Sequence, residues 1–119
     1  MLKIETGKPL LNLNTFNVKS SAAEFVQINS ASELDEIRTL RSNFNHCLIL
    51  GGGSNLLFVG DYEGLVLYPQ LFGETITSED TNSISLKVSA SENWHDFVTN
   101  CLANGYYGLE NLALIPGTV

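Results

Sequence analysis

Residues 47–59, CLILGGGSNLLFV, constrain this chain more than any other stretch. An apolar run ends in three consecutive glycines, Gly51, Gly52 and Gly53, followed by Ser54 and Asn55. Glycine has no Cβ, so its backbone reaches φ > 0 and brings N–H groups close to a ligand. Successive inward N–H groups form an anion-binding nest, and Ser54 and Asn55 add side-chain donors. A tight turn between two buried strands is the plain alternative for such a loop. Leu56, Leu57, Phe58 and Val59 are apolar again and read as a second strand.

Two common phosphate-loop patterns do not fit. The dinucleotide fingerprint needs a third glycine and then a helix. Here the match stops at Gly51 and Gly53, and Leu56 stands where the third glycine belongs. The nucleotide-triphosphate loop needs Lys and then Ser or Thr after its last glycine, and no lysine is nearby. The loop therefore suits a diphosphate held mainly by backbone N–H groups.

A chain of 119 residues is about one small domain, and 44% hydrophobic residues are enough for a core. Thirteen acidic against six basic side chains leave a formal charge of −7. That balance argues against nucleic acid and anionic membrane surfaces, where basic patches supply affinity. Cys47 and Cys101 lie far apart with no metal-ligand spacing, as expected of buried thiols in a reducing compartment. Residues 1–14 lack the apolar core of a signal peptide, and no apolar run approaches the ~20 residues that span a bilayer. The expectation is a cytoplasmic protein with no membrane partner. The apolar stop at 112–119, in mid-loop, reads as an incomplete end.

Along the chain, residues 1–20 are weakly patterned. Residues 22–28 read as a strand. Ser30 with Glu33 three residues on predicts a capping box, and Leu34, Ile37 and Leu40 predict the inward face of the helix that follows. Residues 47–50 read as a strand covered on both faces. Strand, helix, strand predicts a parallel pair with a crossover helix. Residues 64–68 read as a buried strand, and Pro69 and Gly73 mark a boundary. Residues 74–78 and 83–90 alternate around a polar turn at 79–82 and predict a half-exposed hairpin. Ser91 is expected to cap a helix on which Trp94, Phe97, Val98, Cys101 and Leu102 share one face. Glu92 is expected in its first turn, favouring the helix dipole, and Asn104 and Gly105 stop it. His95 lies off the apolar face and reads as a surface histidine. Glu92 has no partner for catalysis, and Trp94 reads as core.

Three segments then combine: LGGGSNLLF at 50–58, SASENWHDFV at 89–98 and GLENLALIPGTV at 108–119, with Asn14, Thr15 and Phe16 near the start. Together they resemble the N-terminal part of the UDP-N-acetylenolpyruvoylglucosamine reductases, also called UDP-N-acetylmuramate dehydrogenases. The resemblance runs from Asn14 onward, and GLENLALIPG is its most specific run.

The resemblance implies an α+β chain with an FAD-binding fold of the vanillyl-alcohol oxidase type. A small α/β subdomain, residues 1–68, would precede the start of a larger α+β subdomain, residues 69–119, with FAD between them and a substrate domain elsewhere. It places the flavin diphosphate at Gly51, Gly52, Gly53, Ser54 and Asn55, flanked by Leu50 and Leu56. Ile115, Pro116 and Gly117 would begin the second wall of the FAD site. The implied reaction passes hydride from NADPH through FAD to the enolpyruvyl group of a UDP-sugar, giving UDP-N-acetylmuramate for peptidoglycan. The family's proton-donating serine, its arginine and its glutamate would lie beyond Val119, so this portion alone is expected to be inactive. None of Ser54, Glu92 or His95 takes their place, and no metal is implied.

Related oxidases of this fold tether FAD through a histidine in or beside the glycine loop. This loop has Ser54 and Asn55 there, and His46 precedes the strand, so FAD is expected to be non-covalent. A non-catalytic nucleotide-binding module and an FAD-dependent oxidase stand as alternatives. The uncovered apolar end is also expected to invite self-association.

Overall fold

The computed structural model describes residues 2–119. Strands β1 (Ile4–Pro9), β2 (Ser21–Ile28), β3 (Cys47–Ile49) and β4 (Tyr62–Pro69) form a four-stranded sheet, with helix α1 (Leu34–Arg41) between β2 and β3. The sheet order is β1-β2-β4-β3. β1 runs antiparallel to β2, and both β2 and β3 run parallel to β4. The anticipated parallel relation of β2 and β3 holds, but β4 is inserted between them. β1 carries little apolar periodicity, and all of its side chains are exposed or half-buried. Pairing with β2, not its own pattern, makes it a strand.

Alternation in the two central strands builds two cores. Phe25 and Val66 face one side with Leu10, Ala22, Leu50 and Phe58. Val26, Leu65 and Leu67 face the other with Ile28 and Ile37 of α1. The capping box at Ser30 and Glu33 forms as expected. It starts a 3-10 turn at Ala31–Glu33 that leads into α1. Ile37 is the buried residue of α1, and Leu40 packs beside it. Leu34, expected inside, is 47% exposed because it sits at the very start of the helix. β3 is not covered on both faces either: as an edge strand it leaves Ile49 70% exposed.

Neighbouring parallel strands need a long crossover, usually helical. Between β3 and β4 the crossover is residues 50–61, the glycine loop itself, with no helix. The strand expected at 56–59 does not form. Phe58 is buried and Leu56 packs beside it, whereas Leu57 and Val59 are 61% and 97% exposed. The segment alternates as a strand would, but no neighbouring strand offers it a ladder.

The N-terminal loop closes over the same core. Asn14 is buried; its Nδ2 donates to the carbonyls of Leu10 (2.8 Å) and Val18 (3.1 Å), and its Oδ1 accepts from the Val18 amide (3.0 Å).

The second layer is the antiparallel hairpin of β5 (Glu74–Glu79) and β6 (Ile84–Val88), followed by helix α2 (Trp94–Ala103). Phe97, Val98 and Cys101 are buried on α2, and Leu102, expected with them, is 48% exposed at its end. Asn93, not Ser91, caps α2: its side chain accepts from the Asp96 amide (3.1 Å). Ser91 instead ties the chain ahead of α2 to the link between β4 and β5, accepting from the Leu71 amide through Oγ (2.9 Å) and donating its own amide to the Leu71 carbonyl (3.0 Å). Glu92 precedes the helix and accepts from the Gly73 amide (2.5 Å), so it is no first-turn dipole partner. Asn104 and Gly105 end α2 as expected, Gly105 with φ 76°.

Candidate functional site

The three glycines play three different parts. Gly53 is buried with φ 64°. A Cβ there would lie 2.0 Å from the Leu13 carbonyl oxygen and 2.9 Å from the Asn14 α-carbon. Its carbonyl accepts from the Thr15 amide (3.0 Å). Gly53 is therefore glycine because the N-terminal loop packs on it. Gly51 and Gly52 are exposed and face the C-terminal segment. A Cβ on Gly51 would stand 2.9 Å from Thr118 Oγ1; one on Gly52 would meet Gly117 at 3.7 Å and Thr118 at 3.9 Å.

The C-terminal segment reaches the loop because α2 holds it. The Trp94 amide donates to the Gly117 carbonyl and the Val119 amide to the Glu92 carbonyl, both at 3.0 Å, and Thr118 pairs with Asn93. Gly117 takes φ 117°, and a Cβ on it would lie 3.4 Å from Ser54 Oγ. The two segments thus meet: Gly51, Gly52 and Ser54 on one side, Gly117 and Thr118 on the other. Ile115 and Pro116 lie on the exposed approach to that contact. Leu50 is buried under the loop, and Leu56, half-buried, packs against the same core.

Where the two segments meet, a cleft of about 180 Å³ is lined by Gly51, Gly52, Gln70, Phe72, Ser91 and Thr118, among others. No Lys, Arg or His lines it. Its donors are backbone and neutral side chains. The N–H groups of Gly51, Gly52, Gly53, Ser54 and Asn55 donate to no acceptor among the described residues. Of these, Gly51 and Gly52 line the cleft beside the Thr118 hydroxyl, and unspent backbone N–H groups of this kind can receive an anion. Thr118, Ser91 and Gln70 were missed by sequence reasoning. Thr118 follows Pro116 and Gly117 directly, and that adjacency was the available signal; Ser91 and Gln70 carried none.

Two larger clefts, about 390 and 420 Å³, flank α2 and share Leu86, Cys101 and Tyr106. Burial, and then the Glu74 charge, push the Cys101 thiol up. The side chains weighed for catalysis are engaged elsewhere: Glu92 at the Gly73 amide, and His95 Nδ1 at the Leu114 amide (3.1 Å). His95 is half-buried, not the free surface residue its position predicts. Among the described residues no group of three His, Cys, Asp or Glu is placed to hold a metal, and no helix is long and apolar enough to cross a membrane.

A family model described as FAD binding domain matches residues 22–119. Curated proteins named UDP-N-acetylenolpyruvoylglucosamine reductase are similar over nearly the whole chain. Those of Amoebophilus asiaticus and Flavobacterium johnsoniae are each 40% identical, and that of Chromobacterium violaceum is 46% identical. In each case the match covers 99% of this chain and 35% of the relative. The chain thus spans about a third of the length of the curated relatives it matches.

Proposed function

The chain belongs to the FAD binding domain family, and we propose that it is the flavin-binding portion of a UDP-N-acetylenolpyruvoylglucosamine reductase. The observation that carries the site assignment is the run of unspent amides at residues 51–55, of which Gly51 and Gly52 line the cleft beside Thr118. FAD carries a diphosphate, whose oxygens need several donors at once. The residues present fit it: Gly51 and Gly52 leave backbone bare where an anion must approach, and Ser54 and Thr118 supply hydroxyls. Gly53 and Leu50 keep the loop in place. Residues 1–68 and 69–119 are the two subdomains of this reading, joined where the chain leaves β4 at Pro69.

When bound, FAD supplies two-electron hydride chemistry. What this chain contributes is binding and orientation. The nest neutralises the diphosphate with dipoles fixed in the fold, without a lysine or arginine, and the Ile115, Pro116 and Gly117 wall limits where the rest of the cofactor lies. No histidine or cysteine lines the cleft, which supports a non-covalent cofactor. The reaction proposed for the whole protein uses NADPH as reductant and the enolpyruvyl ether of a UDP-sugar as substrate, in the cytoplasm, for peptidoglycan synthesis. The test is made on the whole protein. A yellow preparation bleached by NADPH, and re-oxidised by the UDP-sugar enolpyruvate, supports the reading. A colourless protein that takes up no added FAD, or one bleached by an alcohol and not by NADPH, contradicts it.

A further inference from the structure

The first turn of α2 grips the segment before Gly117 with two side chains. The Trp94 indole Nε1–H donates to the Leu112 carbonyl (2.7 Å), and His95 Nδ1 accepts the Leu114 amide (3.1 Å). At the second grip Leu114 takes φ 64°, a left-handed conformation that residues with a Cβ adopt rarely. Its side chain is 79% exposed, so burial does not hold the backbone there. The hydrogen bond to His95 is the one its backbone makes among the described residues. Three residues on, Gly117 meets Ser54 and the glycine loop. With Pro116 fixing its own φ, the direction taken at Leu114 sets how residues 115–117 approach that loop.

Resting on the FAD reading above, we propose that His95 is a positioning residue of the cofactor site. Its unprotonated Nδ1 holds Leu114 left-handed and thereby aims residues 115–117 at the diphosphate nest. A backbone amide can only donate, so Nδ1 is the acceptor. The far end of the segment is pinned independently, by the Trp94 amide on Gly117 and the Thr118 pairing with Asn93. Loss of His95 therefore loosens the wall without detaching it.

The experiment compares His95→Ala, His95→Phe and His95→Asn with the parent protein. Phe keeps a ring and removes the acceptor. Asn places Oδ1 where the imidazole carries Nδ1 and restores it. Two readouts are taken: hydrogen exchange at the Leu114 amide, and FAD affinity by equilibrium fluorescence titration. Ala and Phe are expected to speed Leu114 exchange and weaken FAD about five- to tenfold, the size of one net hydrogen bond. Asn is expected to stay within about twofold of the parent on both. Unchanged FAD affinity in Ala and Phe, or an Asn variant as impaired as those two, overturns the role of His95 alone. A parent protein that binds no FAD overturns the cofactor reading and this role with it.

Discussion

A Cβ on Gly53 would stand 2.0 Å from the carbonyl oxygen of Leu13, whereas one on Gly52 would touch nothing nearer than 3.7 Å. Adjacent glycines thus answer to different demands, the fold at Gly53 and the cleft at Gly52. Gly53→Ala forces a left-handed alanine, costing about 1–2 kcal/mol, into backbone that must also move, for about 1–3 kcal/mol more. Urea denaturation is expected to place its loss at about 2–5 kcal/mol. Gly52→Ala is expected to stay within about 0.5 kcal/mol of the parent. Equal losses at the two positions would contradict this division.

Asn14 makes three hydrogen bonds to the backbone of Leu10 and Val18 from a buried position. Asn14→Ala orphans the Val18 amide and carbonyl, while the Leu10 carbonyl keeps the Leu13 amide, and each buried unpaired group costs about 1–3 kcal/mol. Partial access of water gives an expected loss of about 2–4 kcal/mol by denaturant titration. Asn14→Asp, which keeps the acceptor and loses the donors, is expected to recover only part of it.

Asp80 closes the β5–β6 turn. The amide of Asn82, the hydroxyl of Ser83 and the amide of Ser83 hold its carboxyl below the ordinary value of 3.8. A depressed folded value means that its contribution is complete above about pH 4 and disappears as pH falls through the lower, folded midpoint. Carboxyl NMR titration is expected to show an Asp80 midpoint below 3.8. Amide exchange in the hairpin is expected to rise over the same interval, and not in Asp80→Asn, which is already uncharged. A midpoint at or above the ordinary value would contradict the turn geometry.

Leu112, Leu114, Ile115 and Val119 are 41%, 79%, 49% and 41% exposed, within eight residues of chain. Such a patch invites association. Sedimentation of this chain over a concentration series is expected to show a rising average mass, and Leu114→Glu is expected to reduce it. A monomer at every concentration would count against the patch.

How much was legible follows from which forces are local. The capping box at Ser30, the stop at Asn104 and Gly105, and the alternation of β6 are written in neighbouring residues, and each forms as read. β1 was not legible, because it is a strand only through its ladder with β2. Residues 56–59 misled for the opposite reason: the alternation is real but no partner strand lies beside it. Ser91 and Glu92 carry cap-like and dipole-like signals, yet both are spent on the chain around Leu71 and Gly73. At the candidate site the glycine loop announced itself. The structure brings Gly117 to it and adds Thr118, a meeting between residues more than 60 apart in the chain that no local pattern encodes.

The central claim is that the amides of the glycine loop receive the FAD diphosphate, and its most direct test is equilibrium titration of FAD against Gly52→Val and the parent chain. The cleft admits a Cβ at position 52, so the fold and the far-UV circular dichroism are expected to persist, while the branched carbons occupy the space a phosphate must enter. The parent chain is expected to bind FAD saturably but loosely, releasing it on a desalting column, and Gly52→Val is expected to bind at least about tenfold more weakly, the loss of one charged hydrogen bond. Equal FAD affinity in two equally folded proteins would contradict the account.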